Sequence, residues 1–354
     1  MKKIFVLITG SLGLIGFETV KFFLGRNYPV VGIDNGLRAK IFGIKTNYQT
    51  KLKYLKTSFK GKYTHFNNDI RDGKFLDDLV KNYGKDINLI IHAAAQTSHD
   101  WSAKDPKTDF YINALATYNL LEAARKYCPN SVFIFTSTNK VYGDRVNYLP
   151  LKEFNTRFDL EKNNQFYNGI PESFSIDQSI HSPFGVSKTS ADLMVQEYGR
   201  YFGLKTTVFR LGVVSGSSQE GALEQGFLSF MIKKMKNNEP FTIIGYKGKQ
   251  VRDIIHSIDV VSAFWEVFKK PKKGEVYNLG GGRGNAFSVI ELINKVEKLT
   301  GRKLKLKYEK RERKGDHKWW ITDFSKFKRE YPQWGITKSV DDIILDIYKN
   351  DISG

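Results

Sequence analysis

The sequence predicts an α/β fold, a doubly wound parallel sheet followed by a smaller C-terminal α/β lobe. Short, nearly continuous apolar runs alternate with segments of helical periodicity, glycines crowd the first strand–helix junction, and the alternation changes character beyond about Gly212. Ile4 to Thr9 is the first apolar run and stops at Gly10; Ile15, Val20 and Phe23 then recur at helical spacing up to Gly25, and Val30 to Ile33 is the next run. The pattern continues with the strand Leu89 to Ala93, the helix Asn113 to Tyr127, the strand Val132 to Thr136, the helix Phe184 to Phe202 and the strand Thr206 to Leu211. Buried strands alternating with helices imply a parallel sheet covered on both faces.

After Gly212 the chain reads as helix Leu223 to Asn237, strand Phe241 to Ile244, helix Val289 to Thr300 and strand Leu304 to Tyr308. These segments predict a first domain over 1–211 and a discontinuous second lobe over 212–351, with 241–260 returning to the first. Gly280, Gly281 and Gly282 read as a tight turn ahead of a helix starting near Ser288.

Composition narrows the function classes. With 354 residues and 41% hydrophobic content the chain can bury a large core. The opening M-K-K-I-F-V-L-I is broken at once by glycines, and no apolar stretch is long enough to span a bilayer, so a cytoplasmic protein away from membranes is expected. The single Cys128 argues against an intrachain disulfide and a cysteine-based metal cluster, and no metal site is expected. A net charge of +19 is spread along the chain, and acidic residues interrupt its densest basic runs. That distribution argues against nucleic-acid binding, while the positive field would attract anionic nucleotides.

Gly10, Gly13 and Gly16 stand in T-G-S-L-G-L-I-G, where bare backbone can approach a pyrophosphate and the helix N-terminus, with Leu14 and Ile15, can face it. Asp34, followed by Asn35, ends the next strand about 20 residues on, where a carboxylate accepts hydrogen bonds from ribose hydroxyls and repels a 2'-phosphate. This Rossmann-type arrangement favours NAD over NADP, although Arg38 lies close by.

In this context the chain resembles the extended short-chain dehydrogenases, the NAD-dependent epimerase/dehydratase family. Three further segments fit: Asp69 and Ile70 in N-D-I-R-D as the adenine contact, Ala93, Ala94 and Ala95 as small residues under the cofactor, and Asn113, opening a helix, as a further cofactor-binding residue. The resemblance implies that Thr138, at the end of a strand, lies beside the sugar oxygen that is oxidised. It also implies that Lys188 binds the nicotinamide ribose. Four residues before Lys188 the family carries a Tyr whose phenolate takes the sugar proton; here H-S-P-F-G-V-S-K places Phe184, which has no oxygen. Loss of a general base typically costs ~10² to 10⁴ in rate. Either this chain is a form that traps or merely binds its ligand, or another group accepts the proton; His181 and Lys140 are the nearby candidates in sequence. Replacing Phe184 by Tyr is expected to raise turnover strongly.

Within the family, 4,6-dehydratases carry carboxylates after the Thr, whereas Asn139 and Lys140 stand here. S-T-N-K-V-Y-G-D, H-S-P-F-G-V-S-K apart from its Phe, G-K-Q-V-R-D-I-I-H and E-Q-G-F resemble instead the nucleotide-sugar 2-epimerases. That resemblance implies tightly held NAD and a nucleotide-diphosphate sugar, a CDP-3,6-dideoxyhexose, oxidised at C2 and reduced again by the same hydride. It further implies that Arg252 pairs with the diphosphate and that Gln96, Thr138, Asn139, Gln219, Gln225, Lys249, Gln250 and Asp316 contact the nucleotide or sugar. The family also suggests a homodimer joined through the helices Asn113 to Tyr127 and Phe184 to Phe202.

Overall fold

The structure is a computed structural model that describes residues 4–43, 46–221, 226–312 and 315–350. Seven parallel strands form the main sheet: β1 (Phe5–Thr9), β2 (Val30–Ile33), β3 (Tyr63–Phe66), β4 (Ile87–His92), β5 (Val132–Thr138), β6 (Lys205–Leu211) and β7 (Glu275–Leu279). Their spatial order is β7-β6-β5-β4-β1-β2-β3. The order reverses between β1 and β4, and in such sheets ligands bind outside the carboxyl ends of the strands at that reversal.

The period-2 alternation of a strand divides the core into two layers. Val6 and Ile8 face one side with Phe17, Val20 and Phe23 of helix Leu14–Gly25 and Val260, Phe264 and Val267 of helix Ser257–Lys269. Leu7, between them, faces the other side with Leu76, Leu79, Leu120 and Val195, contributed by helices Gly73–Tyr83, Ala116–Tyr127 and Ser182–Arg200. Each such aliphatic or aromatic side chain contributes ~1.5–3 kcal/mol by burial, which explains why the strands read as apolar runs.

The second lobe has its own core, where Leu228 and Ile232 of helix Phe227–Lys236 meet Leu292 and Val296 of Val289–Thr300 and Ile343 and Ile347 of Val340–Lys349. Ser288 caps its helix through a reciprocal box with Glu291. The expected start of the first of these helices, 223–225, lies outside the described residues.

Two expectations are corrected. Only the end of the segment 241–260 returns to the first domain: Pro240–Ile244 pairs with Lys305–Glu309, and Val251–His256 pairs with Val213–Ser215, Ala286–Ser288 and Trp319–Trp320. Ile255 and Val260 reach the sheet core, Ser257–Lys269 packs beside Leu14–Gly25, and β7 then closes the sheet edge against β6. Asn113 does not open a helix either. Helical structure starts at Pro106, capped by Asp105, and Asn113 sits in a π turn, Tyr111–Leu115, that leads into Ala116–Tyr127.

Candidate active site

A cavity of about 560 Å³ lies at the strand reversal, between the carboxyl ends of the sheet and the second lobe. Its dinucleotide end fits the group the glycines predict. Gly10 has φ +66°, and a Cβ on Gly16 would stand 1.9 Å from the Gly10 carbonyl oxygen, so both positions require glycine. Gly13, Leu14 and Ile15 continue the wall at the N-terminus of helix Leu14–Gly25. Asp34 takes the amides of Leu12 and Gly36, both at 2.9 Å, which aims its carboxylate while leaving lone pairs for ribose hydroxyls. Burial pushes the Asp34 carboxyl up, against those amides and the nearby Lys51 ammonium.

Ala93, Ala94 and Ala95 line the floor, and the Ala94 amide nitrogen would lie 2.7 Å from a Cβ at Gly10. Ile70 and Asn35, expected at the adenine, line the cavity. Asp69 lines it too, but its carboxylate is engaged by Arg71 and by the Asn35 amide at 3.1 Å. The Arg38 guanidinium donates to the Glu220 carbonyl at 2.6 Å, reaching across to the second lobe. Lys51 and Glu220, 2.9 Å apart, complete this corner; no local motif marks them, because their pairing joins distant segments.

At the other end Thr138, Asn139, Lys140, Phe184 and Lys188 share the wall. Thr138 ends β5, and its hydroxyl accepts the Lys140 amide at 3.2 Å. Phe184 and Lys188 lie one turn apart on Ser182–Arg200. The Lys188 ammonium donates to the Thr136 carbonyl at 2.7 Å and sits 4.2 Å from the Phe135 ring centre. Burial lowers its pKa to about 7, opposed by the Asp192 and Asp109 carboxylates. Behind it, Asp192 takes a hydrogen bond from Ser137 at 2.6 Å and two from Arg210, so the end of β5 is fixed by a buried ion pair.

Arg252 donates to Asp316 at 2.8 Å, and Lys140 reaches the same carboxylate oxygen at 3.1 Å. Burial would raise the Asp316 carboxyl, but the two cations hold it well below the usual range. Gln250 lines the cavity with its amide nitrogen on the Ile244 carbonyl, and Gln219 lines it too, its amide oxygen accepting from Ser215 and Ser229.

Three expected contacts are corrected. Lys249 is away from the cavity, held by Glu153 and the Phe154 carbonyl, both at 2.8 Å. Gln96 is in the wall, but its side-chain amide is spent on Ser98 and Asp109. Asn113 is buried behind that wall, where it bonds the Gln96 backbone, Asp109 and Ser187, and so holds the floor rather than a ligand. Gln225 lies outside the described residues. Neither His181 nor Lys140 is placed to serve: His181 is not in the cavity lining, with its ring nitrogens against the carbonyl oxygens of Ser179 and Val141, and Lys140 is ion-paired. Among the described residues no cluster of His, Cys, Asp and Glu could hold a metal ion.

Residues 6–280 match the model of the NAD dependent epimerase/dehydratase family. The chain belongs to this family. NAD is the family's cofactor, and the glycine turn and Asp34 fit it. CDP-paratose 2-epimerase of Salmonella typhi is 36% identical over 82% of this chain and 83% of its own length. A putative UDP-glucose 4-epimerase of Methanocaldococcus jannaschii is 32% identical over 86% and 85%. Among solved structures, UDP-glucose 4-epimerase of Thermotoga maritima with UDP-glucose superposes with a TM-score of 0.79 at 26% identity, covering 98% of both chains. UDP-glucuronic acid 4-epimerase of Bacillus cereus with UDP-glucuronic acid and NAD gives 0.76 at 25% identity, covering 98% of this chain and 99% of that one.

These two solved members of the epimerase/dehydratase family superpose over nearly the whole chain, and the cavity has two chemically distinct ends. One end can hold a dinucleotide through backbone amides and a carboxylate. The other presents a hydroxyl, a buried ammonium and a guanidinium, groups suited to a sugar and a diphosphate. Among the described residues of the H-S-P-F-G-V-S-K segment, none supplies a phenol.

Proposed function

We propose that this chain is an NAD-dependent nucleotide-sugar 2-epimerase acting on CDP-paratose and CDP-tyvelose. The observation that carries this reading is the sequence of groups at the reacting end: Thr138 is followed by Asn139 and Lys140, with Lys140 turned to Asp316 and no carboxylate beside the Thr to eliminate water. The 36% identity to a CDP-paratose 2-epimerase supports the same choice.

Gly10, Gly13, Gly16 and Asp34 would hold NAD, which would supply a reversible hydride acceptor for C2 of the sugar. The remaining work falls to side chains. Arg252, leaving Asp316, would clamp the diphosphate with its planar fork. Thr138 would hold the C2 oxygen by its hydroxyl, and Lys188 would orient the nicotinamide ribose. Gln250 and Asp316 would hold the sugar or base. Because the reaction has no net redox change, the cofactor can stay in place, in a protein expected to work in the cytoplasm; among the described residues no helix is long and apolar enough to cross a membrane.

The exposed apolar stripes Tyr111, Leu115 and Tyr118 on one helix and Val186, Leu193 and Met194 on the other support a homodimer in which these helices pair. A second reading, a silent protein that binds NAD and a nucleotide sugar, is favoured by Phe184; a 4,6-dehydratase is the weaker third. Incubation with CDP-paratose, followed by NMR for CDP-tyvelose, tests the proposal. Absence of epimerisation of any nucleotide 3,6-dideoxyhexose by this chain and by its Phe184→Tyr variant would reject it.

A further inference from the structure

Two cations, Arg38 and Lys51, line the cavity together with Asp34, the carboxylate placed for the adenosine ribose. A cation at that place ordinarily accommodates a 2'-phosphate. Leu12, inside the glycine turn, joins Lys51 to Asp34: its amide donates to the carboxylate at 2.9 Å, and its carbonyl accepts from the Lys51 ammonium at 3.3 Å. The first domain by itself thus sets a buried ammonium and a guanidinium where NADP would carry its extra charge.

The second lobe changes that balance through one residue. Glu220 Oε1 lies 2.9 Å from the Lys51 ammonium and accepts the Asn47 amide at 3.0 Å, while the Glu220 carbonyl accepts from the Arg38 guanidinium at 2.6 Å. Glu220 therefore engages both cations. The Lys51 and Glu220 side chains are only 3% and 13% exposed, so water and salt screen their charges weakly. The loop that carries Glu220 is itself anchored. The Ser217 amide donates to Asp346 at 2.8 Å, the Ser218 hydroxyl donates to Glu18, and the Ser218 carbonyl accepts from Lys51 at 2.9 Å.

We infer that Glu220 is a specificity-determining residue for the cofactor: by occupying Lys51 and Arg38 and adding a second carboxylate beside Asp34, it makes the site take NAD and reject NADP. The inference rests on NAD as the family's cofactor and on Asp34 meeting the ribose, and holds whichever sugar is bound. The 2'-hydroxyl of NAD is uncharged and can donate to a carboxylate. A 2'-phosphate carries a charge of about −2 and its oxygens accept, so it gains from cations and is repelled by carboxylates. With Glu220 in place the four charged groups balance; without it the corner keeps one excess positive charge, on the buried Lys51. A plain staple between the lobes would retain either dinucleotide equally, whereas a charge that cancels Lys51 separates the two.

The test lets the resident nucleotide exchange against an equimolar mixture of NAD and NADP, then extracts and quantifies what each protein holds. The proteins are the chain as given, Glu220→Gln, Glu220→Ser, and Glu220→Gln combined with Lys51→Met; circular dichroism and a cooperative thermal transition report that each is folded. Both neutral replacements of Glu220 should raise the ratio of NADP to NAD by ~10-fold or more, the scale of one charge-assisted hydrogen bond to a phosphate. The double variant should lose most of that gain, because the released ammonium is gone, and replacing both members of a buried ion pair is commonly tolerated by the fold. An unchanged ratio in the folded Glu220 variants overturns the inference. Equal loss of NAD and NADP does so too and leaves Glu220 as a staple, as does a gain that persists undiminished without Lys51. If the given chain itself selects NADP, the role of Asp34 falls and this inference with it, while the choice of sugar is untouched.

Discussion

The Lys188 ammonium donates to the Thr136 carbonyl at 2.7 Å, which ties the helix carrying residue 184 to the strand carrying Thr138. The reacting end is thus assembled by one buried cation between two elements, and that cation is costly to keep in an empty site.

Lys188 makes the stability of the ligand-free protein depend on pH. Its pKa is about 7 when folded and ~10.4 in an unfolded chain, so between these values the unfolded state binds more protons and stability rises with pH. Below about pH 7 the burial penalty is fully present. Lys188→Met should therefore be more stable than the given chain at pH ~6, and the gap should narrow as pH rises towards ~10. Urea midpoints for both proteins across this range measure it; a constant gap would count against a depressed Lys188.

Phe184→Tyr should raise turnover by ~10²-fold or more while leaving nucleotide affinity unchanged. The added phenol would lie one turn from Lys188, whose charge favours its ionised form. Steady-state kcat and a calorimetric Kd separate the two effects. Equal kcat values would show that the phenol is not needed.

Arg252→Ala should weaken nucleotide-sugar binding by ~10- to 100-fold, the scale of a charge-assisted hydrogen bond of ~1.5–3 kcal/mol. Cofactor content should not change, because Arg252 stands at the opposite end from Asp34. Equilibrium dialysis with a CDP-sugar and nucleotide extraction check both halves.

The purified protein should contain NAD rather than NADP, with Asp34 against the ribose and no net consumption of hydride. Denaturation and chromatography of the released nucleotide decide this. Mainly NADP would remove the role given to Asp34, and Asp34→Ala should emerge largely without cofactor.

Leu193→Asp combined with Met194→Lys should shift a homodimer to monomer at micromolar concentration, because both side chains lie on the exposed apolar stripe of Ser182–Arg200. Light scattering reads the mass directly. A monomer before substitution would exclude the helix pairing.

Much of the main sheet was legible because its strands are buried on both faces and read as apolar runs, and the cofactor turn was legible because glycine is sterically required at Gly10 and Gly16. The rest of the late return, 261–279, was not. β7 is short and carries Glu275 and Asn278, and its place is set by pairing with β6 rather than by its own composition. Gln96 and Lys249 were misread for a related reason: partners elsewhere in the chain, Asp109 and Glu153, consume their polar groups, and no local pattern records those partners.

The late return of the chain has a mechanical meaning. The backbone passes between the lobes near 212, 257, 280, 323 and 338, as shown by Val260, Tyr277, Phe327 and Trp334 in the sheet core and Leu228, Leu292 and Ile343 in the other. The cleft is therefore sewn along a seam instead of swinging on one hinge strand. Parting the two lobes would require all of these crossings to bend together, which favours small shared displacements over one wide swing.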